Sequence, residues 1–192
     1  MKRLISLWLA ALMLAAQPIQ AAVTVGFGQG SSSTLACIGY HNDQTDCNFS
    51  TATTTIARTS SYTFARKWTP SVSGSVNRIK FYFGDVLGTY SNIKAAVWKN
   101  DKLVATATIT PSINSWVWSG TLVAESGQSL NFSSGDFLVY GVTVENPTGL
   151  SMSRTYDEAI TNYMYTNSYL PASVTASVGG YQIGTILEYY AK

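Results

Sequence analysis

The chain has 192 residues with 12 Lys and Arg against 10 Asp and Glu, and 46% of it is hydrophobic, a size that suits one domain with a sizeable core. Removing Lys2 and Arg3 with a leader peptide leaves 10 basic against 10 acidic residues. That balance argues against an electrostatic nucleic-acid partner.

Met1 to Ala21 has the layout of a secretory signal: Lys2 and Arg3 as the basic region, Leu4 to Ala16 as the apolar region, then Pro18-Ile19-Gln20-Ala21 before the cut. The apolar run is shorter than the roughly 20 residues needed to cross a bilayer, and no second long one follows. The expectation is an exported chain, periplasmic or extracellular, whose mature part is residues 22–192, a single domain with no membrane span. Cys37 and Cys47 are the only two cysteines, and in an exported protein they are expected to pair. A loop of this length gains on the order of 2–3 kcal/mol from such a bridge.

Val23 to Phe27 reads as a β-rich start running into a Gly/Ser stretch, Gly28 to Ser33. The polar segment closed by the cysteines offers Asn42, Asp43 and Asp46 as hard oxygen ligands for calcium. The same residues also make an ordinary solvated loop, and both readings stay open. His41 is the single histidine. Two cysteines and one histidine fall short of a zinc set without a recruited carboxylate. A hydrolytic triad would need His41 as base, yet no G-x-S-x-G nucleophile signature occurs.

Thr51 to Thr55 is extended and Thr-rich. In Tyr62 to Trp68, Tyr62, Phe64 and Trp68 share one parity and Thr63 and Lys67 the other, the mark of a half-buried strand. Val76 to Phe83 repeats the pattern, with Ile79, Phe81 and Phe83 against Arg78, Lys80 and Tyr82. Ile93 to Ile109 reads as a hairpin turning at Asn100-Asp101, two residues that tolerate positive φ. Its register sets Trp98 opposite Leu103 and on the face of Ala105, Ala107 and Ile109, which makes Trp98 a core residue.

Further strands are expected over Trp116 to Val123, Ser129 to Phe132, Phe137 to Val144, Asn162 to Tyr169 and Tyr181 to Tyr190, with a short helical piece over Tyr156 to Thr161. Gly, Ser and Asn punctuation without a sustained 3.6-residue stripe means all-β. Ser73-Gly74-Ser75-Val76 leading to Ile79-Lys80-Phe81, the run Ala95 to Ala105, and Ser134-Gly135-Asp136-Phe137-Leu138-Val139 resemble the jelly-roll, carbohydrate-binding-module-like (lectin-like) domains of bacterial extracellular proteins. The resemblance covers about Tyr62 to Val144. It implies an antiparallel β-sandwich of jelly-roll type, often with structural calcium, that binds glycans on a sheet face or at the loop ends. The Cys-closed segment and the Tyr-rich region after Met152 depart from it.

Glycan sites stack Trp or Tyr rings on the C–H faces of sugars while polar groups meet the hydroxyls. Trp116 and Trp118 share a face, either as core wall or as a two-ring platform. Tyr163, Tyr165 and Tyr169 share a parity with Asn167, either as a binding surface or as cover for a sandwich flank, and Arg154 and Asp157 nearby could bond hydroxyls or pair with each other. Two carboxylates two apart on a strand, the usual glycosidase arrangement, do not occur in any expected strand. Asp157 and Glu158 are adjacent, and Glu125, Glu145 and Glu188 would have to converge in space. The sequence therefore predicts a non-catalytic module for a polysaccharide or surface glycan, with a structural or adhesive protein that contacts other surface proteins as the alternative.

Overall fold

The computed structural model describes residues 33–39, 47, 54–85, 87–156, 163–174 and 181–192, all within one compact unit that runs from Ser31 to Lys192. The leader, the oxygen-rich positions Asn42, Asp43 and Asp46, and the pair Asp157 and Glu158 lie outside these residues. The described chain is all-β: β1 (Thr34–Gly39), β2 (Thr54–Arg58), β3 (Tyr62–Trp68), β4 (Gly74–Phe83), β5 (Asn92–Lys99), β6 (Lys102–Thr108), β7 (Ser115–Trp118), β8 (Val123–Ala124), β9 (Asn131–Phe132), β10 (Leu138–Glu145), β11 (Leu150–Tyr156), β12 (Tyr163–Thr166), β13 (Tyr181–Ile183) and β14 (Thr185–Ala191). Sheet A runs β1-β14-β4-β11-β13, with β2 on β11 and β7 and β9 on β4; sheet B runs β12-β3-β10-β5-β6-β8. Every strand pairing is antiparallel.

The two sheets face each other as a sandwich, because each contributes the inward parity of its strands to common clusters. Ile79, Val76 and Leu187 of sheet A meet Ala95, Val97, Leu138 and Tyr140 of sheet B. Phe81, Phe83 and Met152 meet Tyr62, Phe64 and Val142. The Tyr140 hydroxyl donates to Ile38 O across the sandwich at 3.2 Å. Burial pushes that phenol up to about 12, so it stays protonated and able to donate through neutral pH.

The hairpin turns where its residues require. Asn100 and Asp101 have φ of 48° and 63°, as a two-residue primed turn demands, and Trp98 pairs with Leu103. The turn is pinned from outside: Asn100 Oδ1 accepts from Phe137 N and its Nδ2 donates to Asp136 Oδ1. Bonds from Ser133 N and Asn100 hold the Asp136 carboxyl below the usual carboxylate range.

One expectation about this hairpin is corrected. A register shift between Val97 and Trp98 sets Val97 against Ala105, so β6 carries one extra residue. Such a bulge changes the parity beyond it. Ala105 and Ala107 face the inter-sheet core with Val97, whereas Trp98 is fully buried on the opposite face of sheet B, among Ala65, Ala96, Val139, Met164 and Val174. Trp98 is a core residue of a second layer.

That second layer is made by the segment after β12. Ser168 O accepts from Thr63 Oγ1 at 2.7 Å, Leu170 N donates to Thr143 Oγ1 at 2.8 Å, and Pro171 O accepts from Trp98 Nε1 at 2.8 Å. The strand over Tyr62 to Trp68 is consequently buried on both faces over most of its length, and the half-buried reading is too open. Two further expectations shorten or shift. Trp116 to Val123 is not one strand, since Ser119 to Leu122 leave the ladder between β7 and β8. Leu150–Tyr156, where no strand is expected, forms β11; the short helical piece expected over Tyr156 to Thr161 meets extended backbone at Tyr156 and otherwise lies outside the described residues.

Candidate functional site

β4 is the strand that lays out the site. Its alternation sends Ile79, Phe81 and Phe83 inward, so Arg78, Lys80 and Tyr82 take the outer face of sheet A. β7 pairs alongside with Lys80 opposite Trp118 and Tyr82 opposite Trp116, while Val117 opposite Phe81 turns to the core. Trp116 and Trp118 are thus neighbours on the outer face, each half-buried. The sequence leaves core wall and two-ring platform open; the register with β4 puts both indoles on the outer face of sheet A, away from the inter-sheet core.

Cations flank the indoles. The Arg78 guanidinium carbon lies 4.2 Å from the Trp118 ring centre, and Lys80 Nζ lies 5.2 Å from Trp118 and 6.0 Å from Trp116. Within about 6 Å of an aromatic face a cation is attracted by the ring quadrupole. Tyr82 meets Trp116 edge to face, with centroids 5.6 Å apart. The result is a ladder of Arg78, Trp118, Lys80, Trp116 and Tyr82.

One end of the ladder is locked by a carboxylate. Glu188 of β14 pairs in register with Arg78 and, on its other side, with Cys37 of β1. It is 2% exposed. Its Oε1 accepts from Arg78 Nε at 2.7 Å and from Asn77 Nδ2 at 2.5 Å, and its Oε2 accepts from Arg78 Nη2 at 3.0 Å. This two-pronged pair fixes the guanidinium plane beside Trp118. Glu188→Ala is expected to lower the unfolding free energy by about 2 kcal/mol, because Asn77 and Arg78 lose their buried acceptor; partial exposure of the Arg78 side chain, 39%, keeps the loss from being larger. Urea denaturation of the two proteins checks it.

Lys80 is placed differently. Its Nζ donates to Cys47 O at 3.4 Å, and among the described residues the Arg78–Glu188 pair is the only ion pair. Partial burial, and then the charge of Arg78, hold the Lys80 ammonium below the ordinary lysine range. The expected bridge is present beside it: Cys37 and Cys47 form a disulfide with Cα atoms 5.4 Å apart. Glu188 lies close to both sulfurs, but bridged sulfurs carry no thiolate charge for a metal, and the carboxylate is already engaged by Arg78 and Asn77.

The remaining expected site residues are dispersed. Tyr165 pairs with Phe64 in register and rests against it, centroids 5.3 Å apart, with the Arg58 guanidinium 5.0 Å from the Tyr165 ring. It stands at the margin of the inter-sheet core. Tyr163 pairs with Arg66 in the same ladder. The common parity ends with β12 at Thr166; Tyr169 belongs to the segment that crosses sheet B, where burial and then Glu145 raise its phenol above the ordinary tyrosine range. Arg154 pairs through its backbone with Thr54 and Ile183, away from Trp116 and Trp118 in sheet order. Glu125, Glu145 and Glu188 do not come together: they bind Thr106, Asn92 and Arg78 respectively.

Sequence reasoning missed Arg78, Lys80 and Tyr82 as members of the Trp116 and Trp118 surface. The signal was their outward parity in the Val76 to Phe83 run, but the pairing of that run with Ser115–Trp118 bridges over 30 residues of chain. It also missed an aromatic trio at one end of the sandwich, Trp68, Phe132 and Tyr189, with centroids 4.9 to 5.7 Å apart. Trp68 and Tyr189, with Ser71 and Val72, line a cavity of about 210 Å³ there. A second cavity, about 340 Å³, lies on the covered face of sheet B against Phe137, Met164 and Val174.

No protein-family model matches the chain, and no curated protein matches it at a significant level. The fold and the site therefore define the molecule at the level of class: an antiparallel β-sandwich with an aromatic and cationic outer sheet face. No helix among the described residues is long and apolar enough to cross a membrane.

Proposed function

We propose that the protein is an exported, non-catalytic binding module, and that it holds a polysaccharide or surface glycan on the outer face of sheet A. The observation that carries this reading is the pair Trp116 and Trp118. Residues two apart on a strand stand about 6.8 Å from each other on one face, a spacing that lets successive sugar rings stack while Lys80 supplies a polar group beside them. The disulfide suits an oxidising compartment, periplasm or exterior.

Trp116→Ala and Trp118→Ala are each expected to weaken glycan binding about tenfold, from lost ring burial and stacking, and the double variant to abolish it. Titration calorimetry with whichever oligosaccharide the unaltered protein selects on a glycan array is the measurement. The array is run with and without calcium, since Asn42, Asp43 and Asp46 are the oxygen ligands expected from the sequence. An array with no bound glycan under either condition, or affinity unchanged in both single variants, ends the proposal.

A structural or adhesive role has one specific observation in its favour. β1 is an edge of sheet A, and beside that edge Leu35 and Tyr190, paired in register, are 48% and 39% exposed. Edge strands with apolar neighbours invite pairing with another chain. Mass that rises with concentration in light scattering, and falls on Leu35→Lys, would favour it.

A further inference from the structure

Both indoles in the outer-face ladder have cations beside them, and among the described residues the charges in that ladder do not cancel. Arg78 and Lys80 stand against one described carboxylate, Glu188, whose oxygens are taken up by Arg78 and Asn77. Arg78 is thereby neutralised and held. Lys80 is left with a backbone carbonyl, Cys47 O at 3.4 Å, and two ring faces. Neither supplies a full negative charge, and the ammonium stands beside both indoles, 5.2 Å from the Trp118 ring centre and 6.0 Å from that of Trp116.

We infer that the glycan held on this face is anionic, and that Lys80 selects it by donating to a sugar carboxylate or sulfate while Trp116 and Trp118 stack on the ring bearing or adjoining that group. The inference rests on the glycan-binding reading above. A neutral sugar could use the indoles as well as a charged one, but it would leave the Lys80 ammonium without a counter-ion in a partly dehydrated position beside Arg78. A charge-assisted bond there is short and about twice as strong as a neutral one. Burial and Arg78 already weaken the protonated state of Lys80, and an anion over the ladder relieves both effects. Because Glu188 cancels Arg78, the described residues of the site offer one net positive charge, which fits one acidic group per stacked unit better than a densely charged polymer.

The test uses matched pairs of polymers that differ in charge: polygalacturonate against its methyl ester, and dextran sulfate against dextran, with the mature protein in calorimetry or affinity electrophoresis. At least one acidic polymer is expected to bind about tenfold tighter than its neutral counterpart in low salt, and the margin to shrink several-fold between 50 and 500 mM NaCl. The first pair reports a carboxylate and the second a sulfate. Lys80→Gln is expected to bring the acidic polymer down to the affinity of its neutral counterpart, and Lys80→Arg to restore most of the margin.

Equal binding of acidic and neutral partners, or a preference that survives Lys80→Gln, overturns the inference while leaving the glycan reading standing. Failure of the unaltered protein to bind any polymer of the set or any glycan on the array overturns both. A circular dichroism melt of each variant shows that the loss is not one of folding, since Lys80 points out of the core and its stem can be replaced by that of glutamine.

Discussion

Gly141→Ala is expected to cost about 4 kcal/mol or more, enough to send much of the protein into the insoluble fraction. Gly141 lies in β10, the strand between β3 and β5, opposite Ala65 on one side and Ala96 on the other. A Cβ there would stand 2.0 Å from the carbonyl oxygen of Phe64 and 2.5 Å from the Cα of Ala65. Both contacts are backbone, so no side chain can swing aside. The β10–β3 ladder would have to part where Tyr140 and Val142 hold the two inter-sheet clusters. Gly120→Ala is the control, because its Cβ would come no nearer than 3.8 Å to Thr108 O, and its cost is expected to stay below about 1 kcal/mol. Chemical unfolding of both variants decides the matter; if Gly141→Ala loses no more than Gly120→Ala, the close approach of β3 to β10 is not what this glycine serves.

The same position shows what the sequence could and could not disclose. A glycine within Phe137 to Val144 marks either a weak strand or a close backbone approach, and only the partner strand, over 70 residues earlier, distinguishes them. Local alternation was enough for strands such as β3, β4 and β10 and for the sandwich, because the period of two is written in runs such as Ile79, Phe81 and Phe83, but it did not mark β1 or β11. Turn chemistry was enough for Asn100-Asp101.

The sense of Trp98 was not legible from alternation, since one extra residue in β6 reverses the face of everything beyond it. A hint lay in composition. Ala95, Ala96, Val97 and Trp98 are all apolar, and a continuous apolar run signals a strand buried on both faces, as all four are. Trp116 and Trp118 were legible as a pair but not as an outward pair, because their side of the sheet is set by register with Lys80 and Tyr82 on β4. Parity also misled where the strand was short: β12 ends at Thr166, so Tyr169 owes its position to the crossing segment and no longer shares a strand face with Tyr165.

That crossing segment makes Trp98 the residue whose loss should be felt most locally. Trp98 is fully buried, with Met164 and Val174 over it and Ala65, Ala96 and Val139 beneath. Trp98→Ala is expected to lower stability by about 3–5 kcal/mol, the range for emptying a large buried aromatic site. The damage should be one-sided, because the inter-sheet clusters contain none of these contacts. Residues 168–171 would keep their bonds to Thr63 and Thr143 but lose the indole donor to Pro171 O, so protease cuts are expected there before any appear in β3, β5 or β10. Trp98→Phe divides the effect: it keeps most of the ring burial and removes the N–H, for a cost of about 1 kcal/mol, since Pro171 is partly exposed and its carbonyl can turn to water. Limited proteolysis read by mass spectrometry, alongside urea denaturation, measures both. Global cleavage with no early cuts between Ser168 and Val174 would mean that the crossing segment and the sandwich fold as one unit, and that Trp98 serves the whole molecule instead of its outer layer.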